Sequence, residues 1–228
     1  MNDVIPYEVV VRGDPRNGGL SLEFLQQELA ELQLTPAAPT VVAHEVFIAK
    51  RVFLAGWFFY ELFADGFHHS AVACESALRA RFVRDLPLPI ELESKKADPS
   101  GQRLTRQLTE RPEADALDEM LRRTWRLRAT PDFRMDYSRL IAWADERGAL
   151  SKSSVGYADN FRQWRNMSAH GSKAILPPGP LLNVMQEAIW IINELFPDPA
   201  TDAYDAPRKA ALRAAQVAEH ERRGLGED

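Results

Sequence analysis

The sequence predicts an all-α fold: an up-and-down helical bundle with an inserted loop and helix region and a short N-terminal extension. Three observations carry this. Apolar residues recur at helical spacing in segment after segment, almost no stretch reads as a strand, and Gly- or Pro-bearing breakers fall between the periodic segments. With 228 residues, 45% of them apolar and 27% charged, the chain can bury a full core.

Residues 4–12, VIPYEVVVR, read as a short strand or extended arm before the turn signal GDPRNGG. Ser21 then caps a helix over SLEFLQQELAELQL, which TPAAPT at 35–40 breaks. From 41 to about 64, Val42, Val46, Ala49, Phe53, Trp57 and Tyr60 keep helical spacing among many other apolar residues. This predicts a central helix with two covered faces. A break is expected at Asp65-Gly66, and then a second core helix carrying Ala71, Cys74, Leu78 and Phe82 on one stripe. The His68-His69 pair would sit at its start and serve as loop and cap chemistry.

Pro87, Pro89, Pro99 and Pro112, with the polar run ESKKADPSGQ, mark residues 85–112 as a loop-rich insertion with little core of its own. A helix follows from near Glu113 with Leu117, Met120, Leu121 and Trp125. Its later part, RRTWRLR at 122–128, is the densest basic patch of the chain: a solvated helix face, or a contact to an RNA backbone through Arg122, Arg123, Arg126 and Arg128. Beyond Thr130-Pro131, the amphipathic YSRLIAWADERGAL stops at Gly148, and another helix starts near Ser154. PPGP at 177–180 opens a last core helix with Leu181, Met185, Ala188, Ile192 and Leu195 on one stripe. After Phe196, a linker leads to an Ala-, Arg- and Glu-rich stretch at 208–223 that reads as an exposed or partner-dependent helix.

Charge and composition exclude some classes. A net charge of −5 argues against a protein that coats nucleic acid through bulk charge, so any RNA contact should be local. The single cysteine, Cys74, forms no intrachain disulfide and reads as a buried thiol, which suits a reducing, cytoplasmic setting. No secretory signal pattern opens the chain. The most apolar run, VFLAGWFFY, is about half the length a bilayer requires, so no membrane partner is expected.

One stretch concentrates chemistry: FRQWRNMSAHGSK at 161–173. At 100° per residue, Phe161, Trp164, Met167 and Ser168 share one arc while Arg162, Asn166 and His170 follow one another on the opposite arc, with Arg165 between. Gly171 stands where a C-cap belongs, placing His170 in a last turn, near unsatisfied carbonyls and the negative end of the helix dipole. Cationic residues before a terminal Gly are also ordinary helix-ending chemistry.

The stretch Arg165-Asn166-Met167-Ser168-Ala169-His170 resembles the R-x4-6-H motif of the HEPN superfamily, in the form where Asn follows the Arg and Gly follows the His. SRLIAWADERGALS before it and LLNVMQEAIWIINELF after it are similar to the motif's surroundings in many prokaryotic members. The resemblance spans roughly 41–196, with an insertion at about 85–135. It divides the chain into an N-terminal extension, 1–40, a HEPN-like helical domain, 41–196, and a linker with a charged helix, 197–228.

That resemblance implies a bundle that dimerises with its two motif helices face to face, and a metal-independent endoribonuclease of a bacterial conflict system, either a toxin or an antiviral effector. RNA would be the substrate, and a cognate antitoxin or regulatory protein a possible partner. The residue types suit this chemistry. RNA carries its own nucleophile in the 2′-OH, so a site needs a proton-transfer group and a fixed cation, which His170 and Arg165 can supply. Asn166 can orient the imidazole or bind a phosphate oxygen, and Arg162 extends the same face toward RNA. No metal or cofactor is required, and no His, Cys or carboxylate spacing suggests a zinc site. The alternative is a non-catalytic HEPN module that binds a nucleotide, RNA or a partner protein; a purely structural helical protein is a third reading. Of the remaining residues, Glu75 would need a partner if buried, with Arg165 or Arg79 as candidates, and is otherwise a surface carboxylate. Trp164 reads as core, although an aromatic near a groove can stack a base.

Overall fold

The computed structural model describes residues 13–169 and 177–198; of residues 167–169 it describes the backbone alone. The fold is mostly helical with one small sheet. In chain order come helix α1 (Leu22–Glu31), α2 (Thr40–Ala55), α3 (Leu62–Asp85), strands β1 (Ile90–Ala97) and β2 (Arg103–Leu108), α4 (Ala114–Arg123), β3 (Trp125–Leu127), α5 (Tyr137–Glu146), α6 (Lys152–Ala169) and α7 (Pro178–Leu195). The expected N-terminal strand at 4–12 and the helix at 208–223 lie outside the described residues.

The central helix is α3, not the segment 41–64. It packs against α2, α4, α5, α6 and α7, and Ala71, Cys74, Leu78 and Phe82 are all buried, as their spacing predicts. Burial pushes the Cys74 thiol well up, and its Sγ donates to the Ala188 carbonyl oxygen at 3.6 Å. The expected break at Asp65-Gly66 is corrected, because the chain turns earlier, at 56–61, and α3 runs through Gly66 without interruption. Gly66 is a contact glycine rather than a breaker: a Cβ there would lie 2.7 Å from the Phe53 backbone. It lets α2 and α3 approach closely. Only one face of α2 is covered, by Val42, Val46, Ala49 and Phe53, while Val41 and Phe47 stay exposed.

The insertion differs most from expectation. Strands β2, β1 and β3 form an antiparallel sheet in that order, with Leu92 opposite both Arg106 and Leu127. Ile90, Leu92 and Leu127 reach the core, whereas β2 is almost wholly exposed. The helix expected through 128 ends at Arg123, and Trp125 and Arg126 belong to β3.

The start of the motif helix is set locally. Gly148, at φ 64°, follows α5 and turns the chain as predicted. The Ser151 amide then donates to Glu194 of α7 at 2.7 Å, and the Ser154 hydroxyl donates to the same carboxylate. This ties the start of α6 to the C-terminal end of α7. At the other margin, Leu25 and Leu29 of α1 join the common core. No described helix is long and apolar enough to cross a membrane.

Candidate functional site

Helix α6 lies against α3 through aromatic contacts: the Phe67 ring meets Trp164 at 5.2 Å and Phe161 at 6.1 Å. Phe161 is buried and Trp164 half-buried, which agrees with the apolar arc read from the sequence. Seating that arc turns Arg165 toward α3.

Arg165 forms an ion pair with Glu75, whose side chain is only 8% exposed against 36% for the arginine. The other carboxylate oxygen accepts from Arg79 at 2.6 Å. Arg79 in turn reaches Asp118 of α4 at 3.1 Å, and Asp118 also takes Arg122 at 2.9 Å. A chain of alternating charge thus runs from the motif helix through α3 to α4. Glu75 is buried and has both of the partners proposed for it from the sequence. Burying a carboxylate costs desolvation energy, and here two guanidiniums share in offsetting it.

Four buried side-chain polar atoms lack a hydrogen-bond partner among the described residues: His68 Nδ1, Tyr137 Oη, Arg79 Nε and Asn17 Oδ1. The first three gather around this charge chain. Tyr137 is buried at the start of α5, and burial above all, with a lesser push from Cys74 and Glu75, drives its pKa well above the usual phenol value. Its hydroxyl therefore stays a neutral donor. His68 is half-buried, and burial, the neighbouring His69 and Arg165 together lower its pKa, against an opposing pull from Asp65. The imidazole is thus held neutral near pH 7. Buried polar atoms without partners are uncommon, and three of the four found among the described residues belong to the surroundings of the Arg165–Glu75–Arg79 chain.

Asn166 is exposed on α6, one residue beyond Arg165. Arg162 pairs with Asp159 at 2.8 Å on the same helix and keeps partial exposure. His170, with the expected Gly171 cap, lies outside the described residues. The basic patch is not a helix face: Arg122 and Arg123 close α4, whereas Arg126 and Arg128 follow along and just past β3. Each has a carboxylate partner, namely Asp118, Glu119, Glu93 and Glu91 respectively. Among the described residues, no group of three or more His, Cys, Asp and Glu side chains could hold a metal ion.

Two members of the site are not legible as such in the sequence. His68 sits inside α3 rather than at a helix start, seven residues before Glu75 and so within about 20° of it around the helix. That spacing is present in the sequence, but a break placed at Asp65-Gly66 puts His68 at the helix start, where it reads as cap chemistry. Tyr137 carries no signal beyond a place on an amphipathic stripe. No family model matches the chain, and neither a curated protein nor a solved structure does so.

Proposed function

We propose that the chain is a HEPN-type, metal-independent endoribonuclease of a bacterial conflict system, a toxin or an antiviral effector, working at the Arg165 centre as a homodimer. The observation that carries the reading is Arg165 itself: a guanidinium oriented by buried Glu75, still a third open, with buried polar atoms nearby that have no partner among the described residues. The Arg-Asn-x3-His order of residues 165–170 supports the same reading from the sequence.

In the proposed reaction the 2′-OH gives its proton to a base and its oxygen forms a bond to the adjacent phosphorus. The P–O5′ bond breaks, the 5′-oxygen takes a proton from an acid, and the products are a 2′,3′-cyclic phosphate and a 5′-OH end. Arg165 offsets the charge that grows on the phosphoryl oxygens. His170 transfers a proton, and Asn166 orients it or holds a phosphate oxygen. Two copies of residues 162–170 across a two-fold axis would place groups on both sides of the phosphate. The test is cleavage of RNA by the purified chain in EDTA, with a substrate bearing 2′-deoxyribose at the cut site as control. Equal cleavage of that control overturns the mechanism, and sedimentation showing an active monomer removes the dimer.

One observation favours a second reading, a non-catalytic module that binds a nucleotide, RNA or a partner protein. Arg165 is already engaged by a carboxylate, which suits a structural or ligand-gated role as well as a catalytic one. Binding of RNA without cleavage would select it.

A further inference from the structure

We propose that His68 is a second proton-transfer residue of the Arg165 centre, supplied by the central helix α3, and that it takes the 2′-OH proton of RNA lying against Arg165. The inference rests on the endoribonuclease reading above and assigns a role that the motif helix alone leaves open. Transesterification needs both a base and an acid, and one motif carries a single imidazole, so the other group comes either from the two-fold copy or from elsewhere in the same chain.

Position is the first argument. His68, Glu75 and Arg79 fall at i, i+7 and i+11 of α3, which puts Glu75 and Arg79 each within about 20° of His68 around the helix. The Glu75 member of that stripe touches Arg165. The residue beside His68, Phe67, packs on Trp164, so the N-terminal half of the stripe also lies at the α3–α6 contact. The Arg165 charge is among the causes that lower the His68 pKa, after burial and His69.

Bonding is the second argument. A histidine that merely braces a core normally spends its buried nitrogen on a carbonyl or carboxylate, which also fixes its tautomer. His68 Nδ1 is buried with no partner among the described residues. Nothing among the described residues fixes the tautomer, so the ring can accept a proton at one nitrogen and release one at the other.

The charge state fits the task. Burial, His69 and Arg165 hold the imidazole neutral, and Asp65 opposes them only in part. Arrival of a phosphate diester beside Arg165 would add a negative charge that favours the protonated ring just when a proton must be taken up. In the step itself, the 2′-OH proton moves to the imidazole, the 2′-oxygen bonds to phosphorus, and the 5′-oxygen leaves with a proton from a separate acid. The resulting imidazolium returns its proton to water.

The experiment compares the full-length parent with His68→Gln, His68→Ala and His69→Gln, using a short RNA substrate over a range of pH. We expect kcat to fall about 10²–10⁴-fold in both His68 variants with KM little changed. The parent's kcat/KM should rise with pH through an apparent pKa below the ordinary imidazole value of about 6.5. His68→Gln should lose that limb and His69→Gln should keep it. Added imidazole should restore part of the rate to His68→Ala, which would not happen if the ring were only structural. A parent that cuts RNA while both folded His68 variants cut equally well overturns the role of His68 and leaves the ribonuclease reading intact. A parent that cuts no RNA overturns both. Should His68→Ala fail to fold, His68→Gln with an unchanged pH profile is sufficient to overturn the proposal.

Discussion

Glu75 on the central helix and Arg165 on the motif helix form an ion pair whose acidic half is buried and whose basic half is partly open to solvent. The asymmetry has an energetic consequence. Removing the carboxylate leaves two guanidiniums facing a vacated site, while removing Arg165 leaves Glu75 still bound to Arg79 at 2.6 Å.

Glu75→Gln should therefore be the more destabilising change. Breaking a buried pair by deleting one partner costs about 3–5 kcal/mol, and the exposure of Arg165 argues for the lower end, about 3 kcal/mol. Arg165→Ala should cost about 1.5–3 kcal/mol, the range for a hydrogen bond to a charged group, discounted toward its lower end for the same exposure. Urea unfolding of the two variants tests the order. A midpoint for Glu75→Gln at or above that of Arg165→Ala would overturn this order of cost.

Two glycines should respond in opposite directions to the same substitution. At Gly66 a Cβ would sit 2.7 Å from Phe53 Cα, Cβ and N, so Gly66→Ala must push α2 away from α3 and should cost about 1–3 kcal/mol. At Gly156, in the interior of α6, a Cβ would meet nothing within 4 Å. Gly156→Ala should stabilise by about 0.5–1 kcal/mol through helix propensity. Thermal melts of both variants decide it, and a neutral Gly66→Ala would show that the helix crossing can give way.

Gly66 also marks where the sequence ceases to be legible. Stripes such as Val42, Val46, Ala49, Phe53 and Leu181, Met185, Ala188, Ile192, Leu195 are legible because burial selects one face of a helix, and all nine side chains are buried. Gly66 carries the composition of a breaker, but its purpose is a close approach that exists only once α2 is in place. The sheet is hidden for a different reason. Within β1 only alternate residues at its start are buried, and β2, RLTRQL, buries almost nothing, so backbone pairing rather than an apolar face defines it. At the site, the Glu75 partnership is legible because a buried carboxylate restricts its own options. Tyr137 is not, because its hydroxyl acquires meaning only from what surrounds it.

The basic patch should contribute RNA affinity without chemistry, although its arginines are not equivalent. Arg126 gives Nε and Nη2 to Glu93 at 2.9 and 2.7 Å and is largely covered, so it serves the sheet first. Arg123 and Arg128 are far more open, at 77% and 62%. Surface pairs of this kind hold for about 0–1 kcal/mol, so a phosphate can displace the carboxylate. Arg123→Glu with Arg128→Glu should weaken RNA binding and reduce the salt slope by about 1 for each phosphate that is no longer neutralised. An unchanged slope would assign the patch to solvation of the sheet.

The motif variants separate chemistry from stability, and the structure changes what is expected of them. His170→Ala should remove most cleavage, about 10²–10⁴-fold, through loss of a proton-transfer group. Asn166 is exposed, so Asn166→Ala should keep parent stability and lose less activity. By sequence alone Arg165 lies between the two arcs, off the apolar one, which predicts a variant whose stability changes far less than its activity. Its pairing with buried Glu75 corrects that: Arg165→Ala should lose activity and stability together. Arg165→Lys keeps the charge beside Glu75 but loses the planar fork that can hold a carboxylate and a phosphate at once. It should therefore recover much of the stability while cleavage stays low. Melting temperature and single-turnover rate measured on all four variants distinguish the cases. If Arg165→Lys cleaves RNA like the parent, the fork is dispensable and only the positive charge beside Glu75 matters; if His170→Ala cleaves like the parent, the transesterification mechanism fails.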